Sequence, residues 1–432
     1  MRFTPYEEEM LRGVHGAFEQ KAFEKIVAYA KALGAEEFCE VSKATLFFGA
    51  HGYLNVLNTD DYNTIFSEMY LCSDEVIPLG TFCSRCFSQT DSAPCDQYRY
   101  EELHLSREHF ERNRRFLELT KQAGVSVAGS CTPYLNGWIP LKGEHYVTTE
   151  SSNVLMCNSV FGAYGSADGL EASVWSAICG RIPKWGCHTP EGRIGDTVFR
   201  IECPAETVTD WDLIGYTVGR MLPPHGVPVL TGGFPYPDLI RLKECFASMA
   251  TTSGAEMCHI VGFTPEAPTL EAALGHREAK VELTLDARAF WDSYRMVCAD
   301  GPAKIDFVTL GCPHYSLQEL RDTALYLQGK QVAADVELFV WTDYSTKAMA
   351  DENGYTAMIE DAGGHLMTSS CPLVIGPDCF RHIRGMVADS AKQAHYIRSE
   401  TEAPIYYTDA RRCIDAAVAG EWREEMRYDY PL

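Results

Sequence analysis

From Ile305 to Gly420 the chain alternates short apolar runs with amphipathic stretches, a spacing that leaves few folds open. Ile305–Leu310, Val336–Trp341, His365–Thr368, Gly385–Ala388 and Pro404–Tyr407 read as strands. Between and after them, helices are predicted from Ser316, over Ser345–Asp361, over Ser390–Arg398 and over Ala410–Ala419. Ser316 and Glu319 make a capping box, Leu317, Leu320, Leu325 and Leu327 supply an apolar face, and Gly420 closes the last helix. Strands joined through helices need right-handed crossovers and a mostly parallel sheet covered on both faces. The expected class is therefore α/β, with three-layer α/β/α units and mostly parallel sheets. A length of 432 residues allows several domains. The expected division is a helix-rich segment 1–125, a central α/β domain 126–300 and a doubly wound domain 301–432. The first segment carries helices over Glu7–Leu33 and Ser106–Ala123, with a cysteine-rich loop between them.

Three apolar runs pass straight into a cysteine followed closely by proline: Val125–Ser130 into Cys131-Thr-Pro, Ile305–Gly311 into Cys312-Pro-His, and His365–Ser370 into Cys371-Pro-Leu. Proline cannot continue a ladder, so each cysteine is predicted where a strand leaves its sheet, and ligands bind at the carboxyl edges of such sheets. Three thiols there suit an iron–sulfur cluster with one iron free for chemistry. The competing reading is that free cysteine is a common buried residue. Cys312 and Cys371 leave strands of one predicted sheet, which favours a shared site. Seventeen scattered cysteines suit a reducing cytoplasm rather than a disulfide framework. Cys83-Ser-Arg-Cys86, with Cys95, has the form of a zinc or redox site, but no second CxxC follows, and incidental thiols are the better reading.

A formal net charge of −23 argues against nucleic acid and anionic membranes as partners. No apolar run is long enough to cross a bilayer. The acidic N-terminus lacks an apolar signal core, so export is not expected. Neither a GxGxxG after a strand nor a GxxxxGK[ST] is present. The polar run Thr148–Ala163 predicts turns whose N–H groups and hydroxyls hold a carboxylate or phosphate, or else a loop bonded only to itself.

Several blocks together carry a resemblance. Cys131-Thr-Pro-Tyr-Leu-Asn-Gly137, Pro140-Leu-Lys-Gly-Glu-His145, Glu150-Ser-Ser152 and Asn158-Ser-Val-Phe-Gly-Ala163 are similar to the catalytic chain of the aconitase X family. So are Gly262-Phe-Thr-Pro-Glu-Ala267, Gly311-Cys-Pro-His314, Ser370-Cys371 and Ser390-Ala-Lys-Gln-Ala-His-Tyr396. They stand in family order over roughly residues 120 to 420, with a looser match at Ala50-His51. The resemblance implies an aconitase-like fold and an iron–sulfur hydro-lyase acting on a small hydroxylated acid, such as cis-3-hydroxy-L-proline or mevalonate 5-phosphate.

Cys131, Cys312 and Cys371 fall on the family's cysteine motifs and become the expected ligands of a 4Fe-4S cluster, or of a 3Fe-4S or 2Fe-2S form. Ser151, Ser152, Asn158, Lys392 and His395 are expected around the substrate. Lys392, His314, Ser151 and Ser152 are the candidates for chemistry, with His314 and His395 also available for second-shell support of the cluster. Glu150 and Glu266 equally suit helix caps. The chain departs from the family after Ala163, where Tyr164-Gly-Ser-Ala-Asp168 replaces an arginine-rich stretch, and at Ala388-Asp389 and Ser369-Ser370. Those departures keep a second expectation open, a non-catalytic iron–sulfur or ligand-binding homologue. The family also uses a small β-rich swivelling domain that supplies a proton-accepting serine. With the chain ending at Leu432, that part is expected as a separate small subunit in a cytoplasmic heteromer.

Overall fold

The computed structural model describes residues 1–46, 86–93, 95–380 and 382–428. Three sheets of four or five strands organise them, with one two-stranded pair besides. The first joins β1 (Phe38–Leu46), β2 (Phe87–Thr90), β3 (His145–Val147) and β4 (Arg181–Pro183); β2 and β3 flank β1 in parallel, and β4 pairs with it antiparallel. This sheet draws strands from both sides of residue 125. The second is β5 (Thr197–Ile201), β6 (Pro228–Gly232), β7 (His259–Ile260) and β8 (Val281–Leu285), in the order β7-β6-β5-β8 and wholly parallel.

After the short β9 (Ala303–Lys304) comes the predicted doubly wound unit. It contains β10 (Phe307–Leu310), β11 (Glu337–Thr342), β12 (Gly364–Thr368), β13 (Met386–Ala388) and β14 (Ile405–Tyr407). All pair in parallel in the order β12-β11-β10-β13-β14, while β15 (Glu421–Trp422) pairs back with β9. Nearly every strand residue here is buried on both faces, as a sheet sandwiched by helices requires.

The helix Leu317–Leu327 begins with the expected Ser316–Glu319 capping box, but Leu325 is 52% exposed and does not belong to its apolar face. The expected helix Ser345–Asp361 is two, Tyr344–Glu352 and Tyr355–Asp361, broken where Gly354 takes φ +74°. Glu7–Leu33 likewise divides into Pro5–Leu11 and Ala17–Leu33. Val125–Ser130 is not a strand. It makes a single bridge, Gln89 to Ser126, and the Ala128 and Gly129 amides bond to Thr90 Oγ1 instead of a ladder. The polar run after Thr148 is not a set of turns but the helix Ser151–Ser159, buried on nearly every side.

One core unites the second and third sheets, running from Trp211, Ile214 and Leu230 to Phe307, Val340 and Val387; a separate core under the first sheet holds Phe23, Ile26, Val41 and Ile178. The helices Val208–Met221 and Leu239–Thr252 approach closely because of glycine. A Cβ on Gly215 would lie 1.9 Å from the Cys245 carbonyl oxygen, so no other residue allows that contact. Among the described residues no helix is long and apolar enough to cross a membrane.

Candidate active site

Cys312 follows β10 and Cys371 follows β12, both at the carboxyl edge of the third sheet. Cys131 reaches the same place from the end of the first sheet. Gly129, at φ +60°, lies so close to Ser369 that an added Cβ would sit 2.4 Å from the serine Cβ. The segments bearing Cys131 and Cys371 therefore pack directly against each other. His314 completes the junction: its amide donates to Cys131 Sγ at 3.4 Å, and its Nε2 donates to the Ser370 carbonyl at 2.8 Å. Two residues after Cys312, it contacts both other cysteine segments.

Burial pushes all three thiols above their ordinary range, Cys371 to about 11. Glu150 adds to that effect on Cys131. Left alone, they are neutral thiols, and a cationic metal group is what makes buried thiolates stable. Among the described residues no three His, Cys, Asp or Glu side chains converge tightly enough to share one metal ion. Three buried thiols of this kind are the donor type that an iron–sulfur cluster takes.

Beside the thiols lies a buried ion pair. Lys392 Nζ sits 2.8 Å from Glu150 Oε1, and Ser152 Oγ donates to the same oxygen at 3.1 Å. Burial opposes the lysine's charge, but its carboxylate partner Glu150 outweighs it and holds the ammonium above its usual range. Lys392 is therefore a fixed hydrogen-bond donor rather than a base. Asp91, just past β2, accepts from Thr149 Oγ1 at 3.1 Å and from the Ser92 amide at 2.7 Å. Burial, then the charge of Glu150, pushes its carboxyl up to about 7. Burial also holds the His314 ring neutral, with Nδ1 buried and without a hydrogen-bond partner.

The other expected residues fare differently. Ser151 is exposed at the first turn of its helix. Asn158 is fully engaged by protein: its amide nitrogen donates to the Gly165 and Glu256 carbonyls, and its oxygen accepts from Tyr146 and the Gly165 amide. His395 turns to Tyr216, with Nδ1 2.8 Å from the hydroxyl. Glu150 pairs with Lys392 and Glu266 with Arg193, so neither side chain caps a helix. Cys86 and Cys95 lie in separate cores and bond to different carbonyls, those of Ala177 and Asp96. Cys72, Cys83 and His51 lie outside the described residues.

Sequence reasoning missed Asp91 and Lys243. Asp91 stands in a polar Thr-Asp-Ser triplet that reads as a turn. Lys243 and Glu244 are adjacent charges on the otherwise apolar buried face of Leu239–Thr252, and that interruption was the available signal.

Models of the aconitase X first, second and third domains match residues 1–191, 195–295 and 305–419. The chain is 32% identical to the phosphomevalonate dehydratase large subunit of Methanothermobacter thermautotrophicus, covering 93% of this chain and 95% of that one. It is 27% identical to the cis-3-hydroxy-L-proline dehydratase of Pseudomonas aeruginosa, over 97% of this chain and 70% of that protein. The crystal structure of Thermococcus kodakaraensis aconitase X in its holo-form superposes with a TM-score of 0.81 at 26% identity, covering 96% of this chain and 100% of that one.

Proposed function

The chain belongs to the aconitase X family, and on that premise we propose that it is the large subunit of an iron–sulfur hydro-lyase acting on a small hydroxylated carboxylic acid. The observation that carries this reading is the meeting of the three cysteine segments around His314, with the Glu150–Lys392 pair at their side. Cys131, Cys312 and Cys371 would hold a 4Fe-4S cluster, which would supply Lewis-acid chemistry toward a leaving hydroxyl.

The chain's own residues then bind and orient. Lys392 directs an ammonium proton toward the substrate carboxylate, with Glu150 and Ser152 fixing its position. His314 gives its amide to a ligand sulfur and keeps Nδ1 unprotonated as a buried acceptor. The "large subunit" of the archaeal relatives' names supports a separate small partner, which completes the site.

The charges favour one substrate class. Lys392 is matched by Glu150, with Asp91 close by, and the buried Arg193 is engaged by Glu266. A phosphorylated acid brings two further negative charges to a site whose lysine is already neutralised. A hydroxylated amino or imino acid brings its own cation to face Asp91 and Glu150. The proposed substrate is of this second kind, like that named for the Pseudomonas relative.

The test is anaerobic purification with a small β-rich partner, then a screen of hydroxylated imino acids and phosphorylated hydroxy acids. Water loss from an imino acid, by the pair and not by the large chain alone, is expected. Turnover by the large chain alone, or a preference for the phosphorylated acid, contradicts the reading.

A further inference from the structure

The loop from Gly311 to Tyr315 is held by a lysine outside it. Lys243, wholly buried on the helix Leu239–Thr252, donates to the Pro313 carbonyl at 3.0 Å and to the His314 carbonyl at 3.2 Å. Its charge is balanced by Glu244 at 2.8 Å and Glu319 at 3.1 Å, and its ammonium lies 5.5 Å from the Tyr315 ring centre. Those carboxylates outweigh the burial that opposes the charge. Asp389 grips the loop at both ends, accepting from the Gly311 amide at 3.4 Å and from the Tyr315 hydroxyl. The Tyr315 amide donates to Trp341 O at 2.9 Å, and Thr342 Oγ1 donates to Tyr315 O at 2.7 Å.

A peptide unit fixed at its carbonyl is fixed at its amide, because the unit is planar. The carbonyl of Pro313 and the amide of His314 belong to one such unit. By holding the first, Lys243 aims the second at Cys131 Sγ. We infer that Lys243 is a positioning residue for the cysteine site, a buried cation that sets the His314 N–H···S bond and the placement of Cys312. It touches neither thiol nor substrate and acts through the backbone. Asp389 fits the same account, since Lys243 and Tyr315 stand beside it.

A buried lysine has an ordinary structural explanation too, so the test must read the loop itself. The inference rests on the cluster reading, and one arm is therefore run on metal-free protein. In Lys243→Met, hydrogen exchange of the Gly311–Tyr315 amides in the metal-free chain is expected to speed by at least about tenfold, as a lost clamp exposes them to local opening. After anaerobic reconstitution, iron affinity is expected to fall about tenfold, the low end of what losing a hydrogen bond to a metal ligand costs, because the bond lost here acts one peptide unit away.

Because Lys243→Met strands Glu244, the double variant Lys243→Met/Glu244→Gln carries the same test in a chain without that orphaned carboxylate. Lys330→Met, which breaks the pair with Asp415 at 2.6 Å, is expected to change neither reading. Wild-type exchange in this loop in a folded double variant would overturn the inference, whatever the iron content. Failure of wild-type protein to take up iron would overturn the cluster reading instead.

Discussion

Replacing Lys392 with methionine removes one charge and little volume from the best-defined polar contact at the site. The pair it makes with Glu150 spans 2.8 Å, with the side chains 14% and 18% exposed. Removing one member of a fully buried pair typically costs about 3–5 kcal/mol, and this partial exposure places the stability loss below that range, at about 2–3 kcal/mol. Loss of a charge-assisted hydrogen bond to the substrate adds about 1.5–3 kcal/mol in binding, or roughly ten- to a hundredfold in kcat/KM. The two effects separate in a double-mutant cycle with Glu150→Gln, read by thermal unfolding and by steady-state kinetics of the reconstituted pair. The cycle is expected to show stability coupling between the two residues. Lys392→Met alone is expected to lower kcat/KM by at least tenfold. Unchanged kcat/KM in the folded variant refutes a substrate role for Lys392. Asp389 offers no alternative partner, since its carboxylate is taken by Tyr315 and the Gly311 amide.

Gly129→Ala places a methyl group against Ser369 at a φ of +60°, and left-handed strain plus overpacking predict a loss of about 2–4 kcal/mol, measurable by denaturant unfolding, with weaker iron retention. Asn158→Ala is expected to destabilise by about 1–3 kcal/mol through its orphaned partners while leaving KM unchanged, which separates its observed bonding from the substrate role expected of it. Asp212 accepts from the Ala391 amide, Tyr407 and Ser248, and burial raises its carboxyl to about 6. The folded state thus holds this proton more tightly than the unfolded one. Its contribution is full below about pH 4 and is lost as pH rises through 6, by about 3 kcal/mol for a two-unit shift; urea unfolding across that window is expected to show a slope that Asp212→Asn flattens.

The third sheet was legible because its strands are buried on both faces and bracketed by helices with ordinary caps; Ala410–Ala419 came out to the residue. Cys312 and Cys371 were legible for the same reason, as proline marks the strand exit. Cys131 meets the His314 and Cys371 segments, but not by leaving a strand. Val125–Ser130 has strand-like composition, yet Thr90 supplies its amide partners through a side chain, which no periodicity reveals. The polar helix Ser151–Ser159 escaped because burial on all sides leaves no amphipathic stripe. Asp91 and Lys243 escaped, and Glu150 was read as a helix cap, because charged residues usually stand in water and only tertiary partners far along the chain explain these three. Asn158 and His395 sit in the family's motifs, but the bonds they make are to protein groups, and spacing along a chain does not tell the two apart.

The account stands or falls on the three thiols. Anaerobic reconstitution of the full chain and of Cys131→Ser, Cys312→Ser and Cys371→Ser, followed by iron and sulfide analysis with electron paramagnetic resonance, measures this directly. Cys413→Ser serves as the control, since that thiol bonds to the Thr408 carbonyl in the core. The account predicts an iron–sulfur cluster in wild type and in the control, and its loss or collapse to a smaller form in each of the other three. A cluster of unchanged content and spectrum in any of those three contradicts it.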